Sequence, residues 1–106
     1  MAYDVLIVDM AHHGEDYVVR GFPTRELRVE YARRRVRATV EELRAPGITP
    51  EKLKAQWFVF GEDAMVLGAD PSYSGSDQLD YFIAQPATPE EIDWQAIRKI
   101  APPPDR

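Results

Sequence analysis

Apolar positions in the first quarter of the chain predict two β-strands. Residues 5–8 form an uninterrupted apolar run between Asp4 and Asp9, which is typical of a buried strand. A second run at 16–22 is rich in β-branched and aromatic residues and stops at Pro23. The segment between the two runs is short enough for a hairpin connection. We therefore predict that the chain opens with a β-hairpin.

The next apolar pattern has the period of an α-helix and extends from Thr24 to about Ala45. Neither Gly nor Pro interrupts this stretch before Pro46 and Gly47. Thr24 is expected to cap the helix, because its hydroxyl can accept a hydrogen bond from a free backbone N–H group. On a helical wheel one narrow stripe is apolar, and this predicts a face that packs on the core. The stripe consists of Val29, Ala32, Val36, Val40 and Leu43.

A second set of apolar residues lies nearly opposite this stripe, with an arginine among them. Such a face is either covered by another part of the chain, for example the C-terminal helix, or free for a partner. Because Tyr and Arg are enriched at binding hot spots, we interpret it as an interaction face for a protein partner or for a homodimer. The face comprises Leu27, Tyr31, Arg34 and Ala38, together with Tyr73 from an adjoining loop at 70–78.

The second half of the chain is predicted to alternate short helices and strands. A Thr-Pro-Glu sequence at 49–51 opens a short helix that is expected to end before Trp57. A capping box at 88–91 opens a last helix. The inner face of that helix is expected to hold Ile92, Ala96, Ile97 and Ile100. Further strands are predicted at 56–60, 64–68 and 79–85. The aromatic residues of the first and the last of these are expected to pack in the core: Trp57, Phe58, Phe60, Tyr81 and Phe82.

The resulting order, ββα(α)βββα, favours an α+β fold. One long and one shorter helix are expected to cover one face of a mostly antiparallel sheet of about five strands, as a two-layer sandwich. A chain of 106 residues is about the size of one domain. We predict that this domain covers residues 1–101 and that a Pro-rich flexible tail follows at 102–106.

Composition excludes several classes of protein. The chain has no cysteine, so disulfides, thiolate metal sites and thiol catalysis are excluded. No apolar run approaches the ~20 residues that a membrane span needs. The first residues carry acids and no base, unlike a secretory signal peptide. We therefore expect a cytoplasmic protein that does not contact a membrane.

Charge is unevenly distributed along the chain. The net charge is −5, yet residues 20–44 hold eight arginines against four glutamates. An acidic chain is repelled by nucleic acid at long range, so polyanion binding ranks behind protein binding as an alternative. The arginines are split over two flanks of the helix, and pairs at i,i+4 are available between Glu30 and Arg34 and between Arg37 and Glu41. The candidates for polyanion binding are Arg28, Arg33, Arg34, Arg35 and Arg37.

The two histidines form a third candidate site. His12 and His13 lie in the predicted hairpin connection close to Asp9, and imidazole together with carboxylate can bind a transition metal. Adjacent strand residues point to opposite sides, so both rings reach one ion only from an irregular turn. A metal-binding protein or small enzyme centred on these residues is therefore a further alternative. The absence of common catalytic and nucleotide-binding motifs favours a non-enzymatic domain without a cofactor.

Overall fold

The computed structural model describes residues 3–12, 14–66 and 73–100 of the chain. Within these ranges it contains a four-stranded antiparallel sheet and four α-helices, which confirms the predicted α+β class and antiparallel sheet. The strands are β1 (Tyr3–Asp9), β2 (Tyr17–Phe22), β3 (Glu62–Val66) and β4 (Tyr73–Ser74). The helices are α1 (Arg25–Leu43), α2 (Pro50–Phe60), α3 (Leu79–Ala84) and α4 (Trp94–Ile100). Short 3-10 turns at Gly75–Gln78 and Pro89–Ile92 come shortly before α3 and α4.

The sheet is built around β1, in the order β2-β1-β3-β4. The predicted N-terminal hairpin is confirmed, with Val5 opposite Val19 and Ile7 opposite Tyr17. Val5 and Ile7 are fully buried on the face that packs against α1. Because side chains alternate along a strand, Leu6 lies on the opposite face, where it is only partly buried. The helices α2, α3 and α4 pack on α1.

Helix α1 begins and packs as predicted. The Oγ1 atom of Thr24 accepts a hydrogen bond from the backbone N–H of Leu27 at 3.2 Å. The stripe predicted to face the core is buried at Ala32, Val36 and Val40. Within the described ranges no helix, α1 included, has the length and apolarity needed to cross a membrane.

The aromatic run at 56–60 is helical, so the prediction of a strand there is wrong. Thr49 caps α2 by accepting a hydrogen bond from the Lys52 N–H, and the helix continues to Phe60. Leu53 and Trp57, one turn apart, are both buried. Burial at helical spacing therefore outweighs the strand propensity of the aromatic residues, which depends strongly on context.

The prediction of a fifth strand at 79–85 is also wrong. The segment forms the short helix α3, and its buried residues Leu79, Phe82 and Ile83 follow i, i+3, i+4 spacing. That spacing places all three side chains on one side of a helix, whereas a strand would divide them between two faces. The described sheet consequently has four strands instead of about five.

The C-terminal segment begins with the predicted capping box. Thr88 donates its backbone N–H to Glu91 Oε1 at 2.8 Å, but the box opens a 3-10 turn, and α4 begins only at Trp94. Of the predicted inner face, Ile97 is buried, while Ile92 and Ala96 are partly exposed. The predicted tail at 102–106 lies outside the described residues.

Candidate functional site

The α1 face predicted to bind a partner is covered by the chain itself. Tyr31 is 2% exposed and Ala38 is 9% exposed, and Leu27 packs against the core cluster. The ring of Trp94 meets the ring of Tyr31 edge-on, with centroids 5.8 Å apart. Arg34 donates to the backbone carbonyl of Asp93 at 3.1 Å. The C-terminal segment therefore occupies this face, and these side chains are not a free docking surface in this fold.

The adjoining segment at 70–78 is only partly described, and its described part is structured. Tyr73 lies in β4, half-buried, and donates its hydroxyl to Gln78 Oε1 at 2.6 Å. Burial raises the pKa of Tyr73 to about 12. The Ser76 N–H donates to Asp63 Oδ1, and residues 70–72 lie outside the described ranges. Tyr73 thus packs on its own domain, so its ring is only partly available to a partner.

The arginines proposed for polyanion binding do not form an exposed basic surface. Arg28, Arg35 and Arg37 are all buried, with at most 7% of each residue exposed. Arg34 binds Glu30 at 2.7 Å, as predicted from their spacing. The guanidinium of Arg33 lies 5.6 Å from the ring centroid of Phe82. A planar, delocalised guanidinium tolerates burial when it is stacked and paired, as the guanidinium groups of Arg35 and Arg37 are.

The other predicted ion pair of α1 has different partners. Arg37 donates to the backbone carbonyl of Gln85 at 2.9 Å and to Glu91 at 3.4 Å. Glu41 pairs instead with Arg44, through two hydrogen bonds of 2.9 and 3.0 Å. The predicted pairing of Arg37 with Glu41 is therefore wrong, because Arg37 binds residues distant in sequence while Glu41 binds the nearby Arg44.

The histidine site appears as a pair at the end of β1. The Nδ1 atom of His12 lies 3.0 Å from Asp9 Oδ2. This hydrogen bond raises the pKa of His12 above 6.5 and lowers the pKa of Asp9 below 3.8. His13 lies outside the described residues. Among the residues that are described, no group of three or more His, Cys, Asp or Glu side chains is placed to hold a metal ion.

The pair makes the hairpin end sensitive to pH. Because folding raises the pKa of His12, the His12–Asp9 pair stabilises the folded state below pH 6.5. This stabilisation is lost as the pH rises through the pKa of His12 in the folded protein. The lowered pKa of Asp9 sets the lower end of this pH range, because the stabilisation disappears as the pH falls through that pKa and Asp9 becomes protonated. We expect an NMR titration to give a His12 pKa above 6.5 in the wild type and a lower value in Asp9→Asn. Equal values in the two proteins would contradict the pairing.

A cleft of about 310 Å³ lies where β1, α1, α2, β3 and α4 meet. Its volume falls at the lower end of the ~300–1,000 Å³ range of small-molecule sites. It brings together Asp9, Arg35 and Ala38, which the sequence assigned to three different candidate sites. We name it the Arg35 cleft, and its lining residues are Asp9, Arg35, Ala38, Thr39, Glu42, Phe60, Glu62 and Trp94.

The guanidinium of Arg35 is held from several directions. Its Nη2 atom donates to Glu62 Oε1 at 2.8 Å and to the Tyr17 hydroxyl at 2.9 Å. Its Nη1 atom donates to the Tyr31 hydroxyl at 3.0 Å, and its Cζ atom lies 4.2 Å from the ring centroid of Trp94. Burial opposes the charge more than any single partner supports it, but the interactions with Glu62 and Tyr31 together outweigh burial, so the pKa of Arg35 is raised. Arg35 is therefore a fixed charge that is neutralised within the domain.

Beside the cleft, the last turn of α2 exposes three consecutive large apolar residues. Phe58 and Val59 are each 53% exposed, and Phe60 is 63% exposed. We call these three residues the α2 patch, and Phe60 also borders the Arg35 cleft. Sequence reasoning missed the patch because it assigned the run to a strand in the core. The available signal was the helical spacing of Leu53 and Trp57 behind the Thr49 cap.

Comparisons with known proteins give no relative on which a function could be based. No protein-family model matches the chain. No curated protein and no solved structure matches it either.

Proposed function

We propose that this chain is a small protein-interaction domain that docks through the α2 patch. The observation that carries the proposal is the exposure of Phe58, Val59 and Phe60, each more than half exposed to solvent. Each Å² of apolar surface removed from water contributes roughly 25 cal/mol, from which the entropic cost of association is subtracted. Contiguous exposed apolar surface on a small domain marks interaction sites. The α2 patch replaces the outer face of α1 as the candidate docking surface, because the C-terminal segment covers that face.

The shape of the patch indicates how a partner would bind. Consecutive helical residues project about 100° apart, so the three side chains span roughly 200° of the helix circumference. The patch is therefore convex, and a partner has to clasp the end of α2 rather than lie flat on it. A polypeptide segment with apolar side chains on both sides of a turn meets this requirement.

Charge favours a basic partner over a second copy of the chain. The chain carries a net charge of −5, so two copies repel each other. The Arg35 cleft, which shares Phe60 with the patch, is lined by the carboxylates of Asp9, Glu42 and Glu62. Complementary charge increases the association rate and the specificity of binding. The occupant we propose is thus an apolar segment of another protein with positive charge beside it.

Peptide selection tests this proposal. Peptides selected from a random displayed library on the wild-type chain are synthesised, and their Kd values are measured by fluorescence polarisation. We expect the double variant Phe58→Ser/Val59→Ser to raise Kd about 30-fold, corresponding to ~2 kcal/mol for loss of a hot spot. Neither of these residues borders the cleft. The matched control is Tyr81→Ser, which removes an aromatic residue 50% exposed on α3 and should leave Kd within about 2-fold.

Two results would overturn the proposal. In the first, the selected peptides bind the double variant as tightly as the wild type, or lose equal affinity for Tyr81→Ser. In the second, sedimentation equilibrium shows a wild-type dimer that Phe58→Ser disperses, which would make a second copy the occupant. Because Phe58 and Val59 are exposed, the double variant is expected to keep its stability within about 1 kcal/mol, as thermal unfolding can verify.

A further inference from the structure

We propose that the Arg35 cleft binds an alkylammonium group, the end of a lysine side chain presented by the partner segment. This inference rests on the proposed docking function, which it makes more specific. Three features of the cleft carry it: an excess of carboxylates, an apolar wall beside them, and a guanidinium already neutralised within the domain.

The charge of the lining favours a cation. The lining residues include three carboxylates and one guanidinium, which together give a net charge of −2. Glu62 matches the charge of Arg35 at 2.8 Å, and His12 lies 3.0 Å from Asp9, so Glu42 supplies the excess and Asp9 adds to it where His12 is neutral. The hydrogen bond from His12 keeps the pKa of Asp9 below 3.8, and Asp9 is therefore ionised at neutral pH. Glu42 is the exposed carboxylate of the lining, and it is therefore accessible to a cation from solvent.

The apolar part of the lining suits the methylene stem of a lysine. The surface of the cleft is mostly polar, and Ala38, Phe60 and Trp94 supply its smaller apolar part beside the carboxylates. A lysine buries its stem along apolar surface while its ammonium group stays with polar partners. The ring of Phe60 is largely exposed, so its face is also open to a cation–π contact.

Other ligand classes fit the cleft less well. An anion would meet the carboxylates, while the guanidinium of Arg35 already donates to Glu62, Tyr17 and Tyr31. An inorganic cation needs several ligands converging on one point, and no such group exists among the described residues. An organic cation needs only complementary charge spread along a partly apolar wall.

The position of the cleft connects it to the α2 patch. Phe60 belongs to both, so a segment that clasps the end of α2 passes the mouth of the cleft. A lysine neighbouring the apolar anchor residues of that segment would enter the cleft. Peptides that bind the patch are therefore expected to carry a lysine close to their apolar residues.

The test uses a small probe that does not depend on any partner. The full chain, labelled with ¹⁵N, is titrated with Nα-acetyl-lysine methylamide at low salt and followed by NMR. We expect saturable shifts of the Trp94 indole N–H, with a Kd of about 1–10 mM for such a small ligand. The backbone N–H of Ile83, which is buried in α3 and does not line the cleft, is the internal reference and should not shift. The Nε-acetylated probe, which lacks the charge, should bind at least about 10-fold more weakly.

Variants separate the cleft from the patch. Glu42→Gln removes one carboxylate from the rim and is expected to weaken the lysine probe about 2- to 5-fold, as for an exposed charge pair. Phe58 does not line the cleft, so Phe58→Ser should leave the Kd of the lysine probe unchanged. Shifts that never saturate, or equal shifts with the acetylated probe, would overturn the assignment.

Failure of this inference and failure of the docking function give different results. If selected peptides require the α2 patch but tolerate replacement of lysine by norleucine, and the probe does not bind, the cleft assignment is overturned and docking stands. If the lysine probe binds but the double variant Phe58→Ser/Val59→Ser leaves peptide binding unchanged, the cleft assignment is supported and docking through the patch is overturned.

Discussion

Replacing Arg35 with methionine is expected to lower the free energy of unfolding by about 2–4 kcal/mol. The substitution leaves the Glu62 carboxylate without its cation and removes the donor to the hydroxyls of Tyr17 and Tyr31. It also removes the group that stacks 4.2 Å from the ring centroid of Trp94. The cost falls below that of a fully enclosed pair, because the Glu62 side chain is 27% exposed and regains water.

Urea denaturation followed by circular dichroism measures this effect. The matched control is Arg34→Met, one residue earlier on α1, whose pairing with Glu30 is partly exposed. Its expected cost is no more than about 1 kcal/mol, as for a surface ion pair. Adding Glu62→Gln to Arg35→Met should recover part of the loss, because the unpaired carboxylate is then neutral. A midpoint for Arg35→Met equal to that of Arg34→Met would contradict a structural role for Arg35.

Replacing Trp57 with alanine is expected to cost about 3–5 kcal/mol. Trp57 is fully buried, and its indole N–H donates to Thr39 Oγ1 at 2.9 Å. The substitution removes a large apolar side chain and leaves a cavity between α1 and α2. Domains of this size have total stabilities of about 5–15 kcal/mol, so the loss is a large fraction of the total.

The neighbouring residue on α2 supplies the comparison. Phe58→Ala removes an aromatic side chain that is 53% exposed, and its expected cost is below about 1 kcal/mol. If Trp57→Ala does not fold, Trp57→Phe tests the same site with a smaller cavity and should cost less than Trp57→Ala but more than Phe58→Ala. If Trp57→Ala and Phe58→Ala had equal unfolding midpoints, the assignment of Trp57 as buried and Phe58 as exposed on α2 would be wrong.

Local signals in the sequence located several elements correctly. The N-terminal hairpin, α1 and the caps at Thr24 and Thr49 were all predictable. Caps form between residues three positions apart, and the core stripe of α1 repeats within one helix. Such interactions depend on neighbours along the chain, so the residue order alone reveals them.

The two errors in secondary structure share a physical cause. The segments 56–60 and 79–85 are rich in aromatic and β-branched residues, which favour strands. In the structure both are helical: Leu53 and Trp57 are buried one helical turn apart, and Leu79 is buried together with Phe82 and Ile83, a set that a strand would divide between two faces. Strand propensity reflects packing on the pleated surface of a sheet, and neither of these segments belongs to the described sheet.

The candidate sites were harder to predict than the fold. A helical wheel grouped Tyr31 with Ala38 correctly as an apolar face, yet it contains no information on what lies against that face. The same limit applied to Arg35, whose charge suggested solvent although Trp94 and Glu62 enclose it. Phe58 and Phe60 were assigned to the core and are exposed.

Residue order was sufficient for the α+β class, the antiparallel hairpin and the direction in which α1 faces the core, because these follow from local periodicity and capping. The identity of the exposed surface depended on packing between residues far apart in sequence. Whether an apolar face meets water is decided by which distant segment covers it, and the C-terminal segment covers α1 while no described helix covers the end of α2. The α2 patch and the Arg35 cleft exist for that reason.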